Sequence, residues 1–203
     1  MTKIDTPEAL EALYGKAVIN ALKKETPELT PEYHRWIERS CFFAIASVGD
    51  TGIDCSPRGD TPQQLFKILD NKRLAIPDRR GNNRLDTLKN IVADPRVSLL
   101  FFIPGIEETL RIKGRATVTT DPALIDTFEV DGKKPLTVIF VDIDTVFFQC
   151  ARALKRAHFW DVETQADKST VPTAGQMVRG AISDFDGDAY DSDLESRQKA
   201  TLY

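Results

Sequence analysis

Seven consecutive residues, Asp78-Arg79-Arg80-Gly81-Asn82-Asn83-Arg84, bring together three arginines, two asparagines and a glycine. These residue types suit the holding of a phosphate. An arginine presents a planar fork of N–H donors that matches phosphate oxygens. A glycine lets backbone amides come close to an anion, and a helix N-terminus adds unsatisfied amides and the positive end of its dipole. Ile76-Pro77 reads as the end of a strand, and the apolar spacing after Arg84 reads as a helix, so the cluster falls in a strand–loop–helix connection. A solvated turn with Asn83 as an ordinary helix N-cap accounts for the same residues, and local composition leaves both readings open.

Three further groups carry chemistry. Ser56-Pro57-Arg58-Gly59-Asp60 follows an apolar strand. There Ser56 offers a hydroxyl donor and Arg58 a cation, or the segment is a proline turn with a surface arginine. The run Thr109–Val118 alternates, with Leu110, Ile112, Gly114, Ala116 and Val118 on one side and Arg111, Lys113 and Arg115 on the other. Of those cations, Arg111 is the candidate contact and the others suit a solvated face. Between Cys150 and Trp160, basic residues stand beside aromatics. Lys155 and Trp160 are the candidates there to cover a bound group at a subunit seam, against a plain core role for Trp160.

Composition narrows the classes. With 41% apolar and 29% charged residues in 203, the chain can bury one sizeable core. A net charge of −4 gives no global positive field for nucleic acid, so an anion site must be a local cluster. No apolar run reaches the roughly 18 residues of a spanning helix, and Met1-Thr2-Lys3-Ile4-Asp5 has no apolar signal core. Both absences point to the cytoplasm. Cys41, Cys55 and Cys150 are widely spaced without a CxxC pair, which argues against a disulfide framework or zinc knuckle. Cys41 and Cys55 fall at strand positions and are expected as buried thiols. The two histidines, His34 and His158, lack metal-site spacing, and no Gly-x-Ser-x-Gly elbow is present. No residue stands out as a required general base or nucleophile.

The elements that must position these groups follow from pattern. Thr6-Pro7-Glu8 starts a helix whose apolar residues recur at Leu10, Leu13, Tyr14, Ala17, Val18 and Ala21, and Thr30-Pro31-Glu32 starts another to about Arg39. Phe42–Ser47 and Ile53–Ser56 form a hairpin around Gly49-Asp50-Thr51-Gly52. Strands follow at Arg73–Pro77, Arg96–Ile103, Thr109–Val118 and Leu136–Ile143, with Val146–Cys150 as one more. Short helices are expected over Arg84–Ala93, from Asp121 to Phe128, and over Ala151–Ala157. Hairpin-linked strands with short helices between them argue for an antiparallel barrel rather than a βαβ sheet. After Asp184 the chain is acidic and reads as helical or mobile surface.

The sequence resembles the pyridoxamine-phosphate-oxidase-like, FMN-binding split-barrel proteins, and within them a bacterial group of FMN-dependent enzymes without an assigned substrate. The matching stretches are Phe42–Ala46, Cys55–Asp60, Leu74–Arg79, Gly81–Thr87, Leu110–Ala116 and the Cys150–Trp160 region, in the family's order, over roughly residues 8 to 180. The resemblance implies a mainly β fold with flanking helices (α+β): a six-stranded antiparallel split β-barrel that forms a homodimer with FMN in two clefts at the interface. It implies an N-terminal helical segment packed on the barrel (1–40), a flavin-binding core (41–160) and a C-terminal helical or mobile acidic tail (161–203). Asn82, Asn83 and Arg84 would hold the ribityl phosphate, with Ser56 and Arg58 near the flavin and Ile76, Pro77, Asp78 and Arg79 beside them. The implied function is an FMN-dependent oxidoreductase, with a small-molecule substrate or a reduced nicotinamide donor and no nucleic-acid or membrane partner. The alternative is a flavin- or haem-binding carrier or sensor without turnover. The C-terminal arginine and histidine substrate motif of true pyridoxamine phosphate oxidases has no counterpart here, so the substrate stays open.

Overall fold

The computed structural model describes residues 2–50 and 52–203; Met1, and Thr51 of the expected hairpin turn, lie outside them. In chain order the elements are α1 (Pro7–Tyr14), α2 (Ile19–Lys23), α3 (Pro31–Ile37), β1 (Phe42–Gly49), β2 (Gly52–Gly59), α4 (Pro62–Leu65), β3 (Lys67–Asp70), β4 (Arg73–Pro77) and α5 (Asp86–Ala93). After them come β5 (Arg96–Phe102), β6 (Thr109–Thr119), α6 (Pro122–Asp126), β7 (Val138–Gln149), α7 (Arg152–Ala157), α8 (Ala174–Ala181), α9 (Gly187–Ser192) and α10 (Leu194–Ala200). The Thr-Pro starts act as expected. Thr6 and Thr30 accept the Ala9 and Tyr33 amides at 3.2 Å, with proline in the first turn where its missing N–H costs nothing. The first helix, expected to run on through Ala21, is cut at Gly15, whose φ of 76° closes α1.

All strands pair antiparallel in one seven-stranded sheet, ordered β2-β1-β5-β6-β7-β4-β3. The count of six implied by the resemblance is corrected to seven, and two elements differ from the pattern reading. Lys67–Asp70, a stretch without strand-like alternation, pairs with β4 as a short edge strand. Leu136–Ile143 and Val146–Cys150, expected as separate strands, are one strand, β7. The sequence reads as two because the ladder with β6 slips between Lys113 and Gly114, where Ile143 and Thr145 are paired and Asp144 is extra. The slip moves burial from Ile139, Val141 and Ile143 to Val146. Gly114 fits this crossing because a Cβ there would collide with the Asp142 carbonyl oxygen.

One face of the sheet makes the core. Phe43, Ile45, Leu99, Phe101, Leu110, Ile112, Ile139, Val141, Leu74 and Ile76 form a single cluster, closed by Ile37 of α3, Leu65 of α4, Phe66 and Ile91 of α5. In the N-terminal segment, α3 packs on the sheet through Ile37, whereas α1 and α2 bury no residue and leave Leu13 and Val18 exposed. Strand parity also corrects the reading of the cysteines. Cys55 pairs with Ala46 on the outer face and is exposed, and Cys41 is only half-buried.

Candidate functional site

At one edge of the sheet the inward face of β2 is polar. Asp54, Ser56 and Arg58 pair across from Ser47, Ile45 and Phe43, so their side chains stand on the side where the next strand would supply apolar residues. This edge opens into a cleft of about 980 Å³ between β2, the end of β4 and the N-terminus of α5. The β4 end supplies Ile76 and Pro77, both buried, as floor, and the Asp78 amide donates to Thr137 O at 3.0 Å, fixing the point where the loop leaves the strand. Ser56, Arg58, Ile76, Pro77, Asp78, Arg79, Asn82, Asn83 and Arg84, nine sequence-derived candidates, all line this one cleft.

The loop into α5 is strained. Asn83 and Leu85 both have φ near 60°, a left-handed region unfavourable for residues with a Cβ, least so for asparagine. The helix begins at Asp86, two residues later than expected. Its N-cap, Leu85, makes no side-chain cap, so the alternative of Asn83 as N-cap is set aside. Asn82 instead accepts the Arg84 amide at 3.1 Å. The first turn of α5, Asp86 to Leu88, lines the cleft without a side-chain cap, which leaves amides and the positive dipole end at its wall.

Charge is concentrated here although the chain is net negative. Arg58, Arg79, Arg80, Arg84, Lys133 and Lys134 face Asp60, Asp78 and Asp86 around the cleft. Arg79 is committed: it pairs with Asp60 at 3.3 Å and donates to Phe128 O at 2.8 Å and to Gln64 Oε1 at 3.2 Å. Arg58 lies 3.9 Å from Asp78. Burial pushes the Asp78 carboxyl above its usual range, opposed by the Arg58 guanidinium. Arg84 pairs with Asp86 at 2.8 Å and is exposed. Arg80 makes no ion pair among the described residues. Ser56 donates to Asp54 and accepts from the buried Thr87 hydroxyl, both at 3.2 Å. The donor set of free and exposed guanidiniums, lysines and uncapped amides, over an apolar floor, fits an elongated anion with a planar, partly apolar body, as a phosphorylated flavin is.

Arg111, Lys155 and Trp160 do not join this cleft. Arg111 donates to Gln149 at 3.1 Å beside the Phe147 ring, Lys155 pairs with Glu107 at 3.3 Å, and Trp160 donates to Ile106 O at 2.8 Å. His34 and His158 also lie outside it, beside Glu38 and Asp161. The cleft includes residues that sequence reasoning left out: Gln64, Thr87, Lys133, Lys134, Leu202 and Tyr203. The lysines had a signal. Asp131-Gly132, with φ of 51° and 76°, is a tight hairpin turn of a type Asp-Gly favours, and it presents the following lysines. Tyr203 had none, since only the chain's return from α10 brings it here. Among the described residues no helix is long and apolar enough to cross a membrane, and no cluster of three or more metal-ligating side chains occurs.

The family model described as pyridoxamine 5'-phosphate oxidase matches residues 29–150, more than half of the chain. No curated protein matches. Among solved structures, a variant of HupZ from Group A Streptococcus is 17% identical with a TM-score of 0.50, over 59% of this chain and 98% of that one. A pyridoxamine 5'-phosphate oxidase-related, FMN-binding protein from Nostoc punctiforme is 15% identical with a TM-score of 0.45, over 61% of this chain and 86% of that one. The general stress protein 26 of Bacillus anthracis is 15% identical with a TM-score of 0.44, over 57% and 88%.

Proposed function

This chain belongs to the pyridoxamine 5'-phosphate oxidase family, and on that premise we propose that its cleft holds FMN and serves an oxidoreductase acting on a small molecule, with a reduced nicotinamide as the candidate donor. One observation carries the reading: the strained loop from Asp78 to Leu85 gathers arginines, asparagines and the uncapped start of α5 at one end of a cleft with an apolar floor. When bound, FMN supplies two-electron redox chemistry. The residues of this chain bind and orient it. Arg84, Arg80, Asn82, Asn83 and the first amides of α5 hold the phosphate. Arg58, beside Asp78, sets a positive charge on the β2 wall of the cleft, where it would stabilise negative charge on a bound ring. Ile76, Pro77 and Leu65 exclude water from the floor. The proposed assembly is a homodimer of split barrels acting in the cytoplasm, in which Arg111, Lys155 and Trp160, remote from their own cleft, reach that of the partner.

The absorbance spectrum of freshly purified protein tests the cofactor: a flavin spectrum is expected, and a colourless protein without affinity for added FMN overturns the reading. The double variant Asn83→Ala, Arg84→Ala is expected to weaken FMN binding about 100-fold, two charge-assisted hydrogen bonds at about 1.4 kcal/mol per decade. Unchanged affinity removes the phosphate assignment. Rapid mixing with a reduced nicotinamide tests the enzyme half separately, and a bound flavin that no donor reduces leaves binding without turnover.

A further inference from the structure

Beyond α7 the chain folds largely on itself. The backbones of α8 and α9 meet at Gly175 and Gly187, too close for a Cβ at either position. Asp191 accepts the Gly175 amide at 2.7 Å and also takes the Thr173 hydroxyl, and Arg197 of α10 lies 4.2 Å from the Tyr190 ring. Against that self-contained packing of α8 to α10, Tyr203 makes a hydrogen bond to the sheet domain. Its hydroxyl donates to Asp60 Oδ1 at 2.8 Å, and the Arg79 guanidinium sits 5.2 Å from its ring centre. Both anchors are held before the tyrosine arrives. The Asp60 side chain is 4% exposed and paired with Arg79, which is itself tied to Phe128 O and Gln64. The bond to Asp60 raises the tyrosine pKa, so the phenol keeps its proton and remains the donor at neutral pH. Leu202 and Tyr203 line the cleft, which retains its volume of about 980 Å³ with them in place, so the ring walls the cleft without filling it.

We propose that Tyr203 is a ligand-facing residue of the cleft, delivered by the tail as a strap whose clasp is the Asp60–Arg79 pair, and that this strap retains a planar aromatic ligand. For the identity of that ligand the proposal rests on the FMN reading above. A phenol–carboxylate bond and a cation–π contact are each modest, so the strap opens for entry and slows escape. Its effect falls on release more than on capture.

Two measurements on the whole 203-residue chain test it. Trypsin cutting at Arg197 and Lys199 without FMN reads the clasp alone: Tyr203→Phe, which keeps the ring and removes the hydroxyl, is expected to be cut several-fold faster than the parent. FMN release, followed by recovery of flavin fluorescence after dilution, is expected to be about tenfold faster in Tyr203→Phe and faster still in Tyr203→Ala. Equal cutting of parent and Tyr203→Phe overturns the clasp. Faster cutting with unchanged FMN release overturns the role at the ligand. A parent that binds no FMN fails the cofactor reading instead, and the trypsin comparison then decides the strap by itself.

Discussion

Along the β6–β7 ladder the backbone is regular apart from one slip, whereas the loop from Asp78 to Leu88 is strained and turns donors towards the cleft. Arg111 meets Gln149 across the ladder, and the one irregularity, the slip at Gly114, is accommodated by a residue without a side chain. In the loop, Asn83 and Leu85 carry side chains at positive φ, α5 starts without a cap, and Arg80 has no charged partner among the described residues. The ladder spends its residues on register. The loop leaves donors unmet and backbone strained, which a structure tolerates where a ligand will use those donors.

If that contrast is right, damage to the ladder reads out as stability and damage to the loop as binding. The largest effect is expected from Gly114→Ala. Its Cβ would meet the Asp142 carbonyl oxygen, so β6 and β7 must part at the slip. A loss of about 3 kcal/mol is expected in the denaturant midpoint, with FMN affinity of the remaining folded protein little changed. A loss below about 1 kcal/mol would mean that the ladder yields and is not the rigid member of the pair. Leu85→Gly acts on the other side. Leu85 is 45% exposed and left-handed, so glycine relieves backbone strain while little burial is lost. A gain of up to about 1 kcal/mol in stability is expected together with weaker FMN binding, because a looser loop must be ordered by the ligand. Stability gained with affinity intact would show the strain to be unrelated to binding.

The two regions also differ in how far the sequence discloses them. The alternation of Leu110, Ile112, Ala116 and the Thr-Pro helix starts is read directly, since each depends on neighbours a few residues away. Seven of the nine cleft residues were likewise visible because a strand end, a basic loop and a helix start lie consecutively in the chain, and Ser56 and Arg58 because they close a strand. Lost from view was whatever depends on distant pairing. The slip at Asp144 split one strand into two, β3 is a strand only because β4 lies beside it, and Cys55 is outward because of its partner Ala46. Tyr203 reaches Asp60 across 143 residues, and no local pattern encodes that. Arg79 shows the converse: its type suited phosphate, but its geometry spends it on Asp60, Gln64 and Phe128.

The smallest expected effect is also the one that most directly separates burial from pairing in the cleft. Asp78 is raised above the ordinary carboxylate range chiefly by burial, with Arg58 pulling the other way. A carboxyl whose folded pKa exceeds its unfolded one binds more protons in the native state across that window. Stability therefore falls as pH rises through the window, and the full penalty is present at neutral pH. Asp78→Asn removes the ionisation and nearly keeps the shape. The variant is expected to melt a little above the parent at pH 7, with the advantage shrinking as pH drops towards the ordinary carboxylate value of 3.8, as the parent's carboxyl becomes protonated in both states. Thermal melts of both proteins from pH 7 to pH 4 check this. A variant less stable at pH 7 would show that the Arg58 pair at 3.9 Å outweighs burial. The cleft would then hold its charges as matched pairs, and the contrast between the two regions would rest on the strained backbone alone.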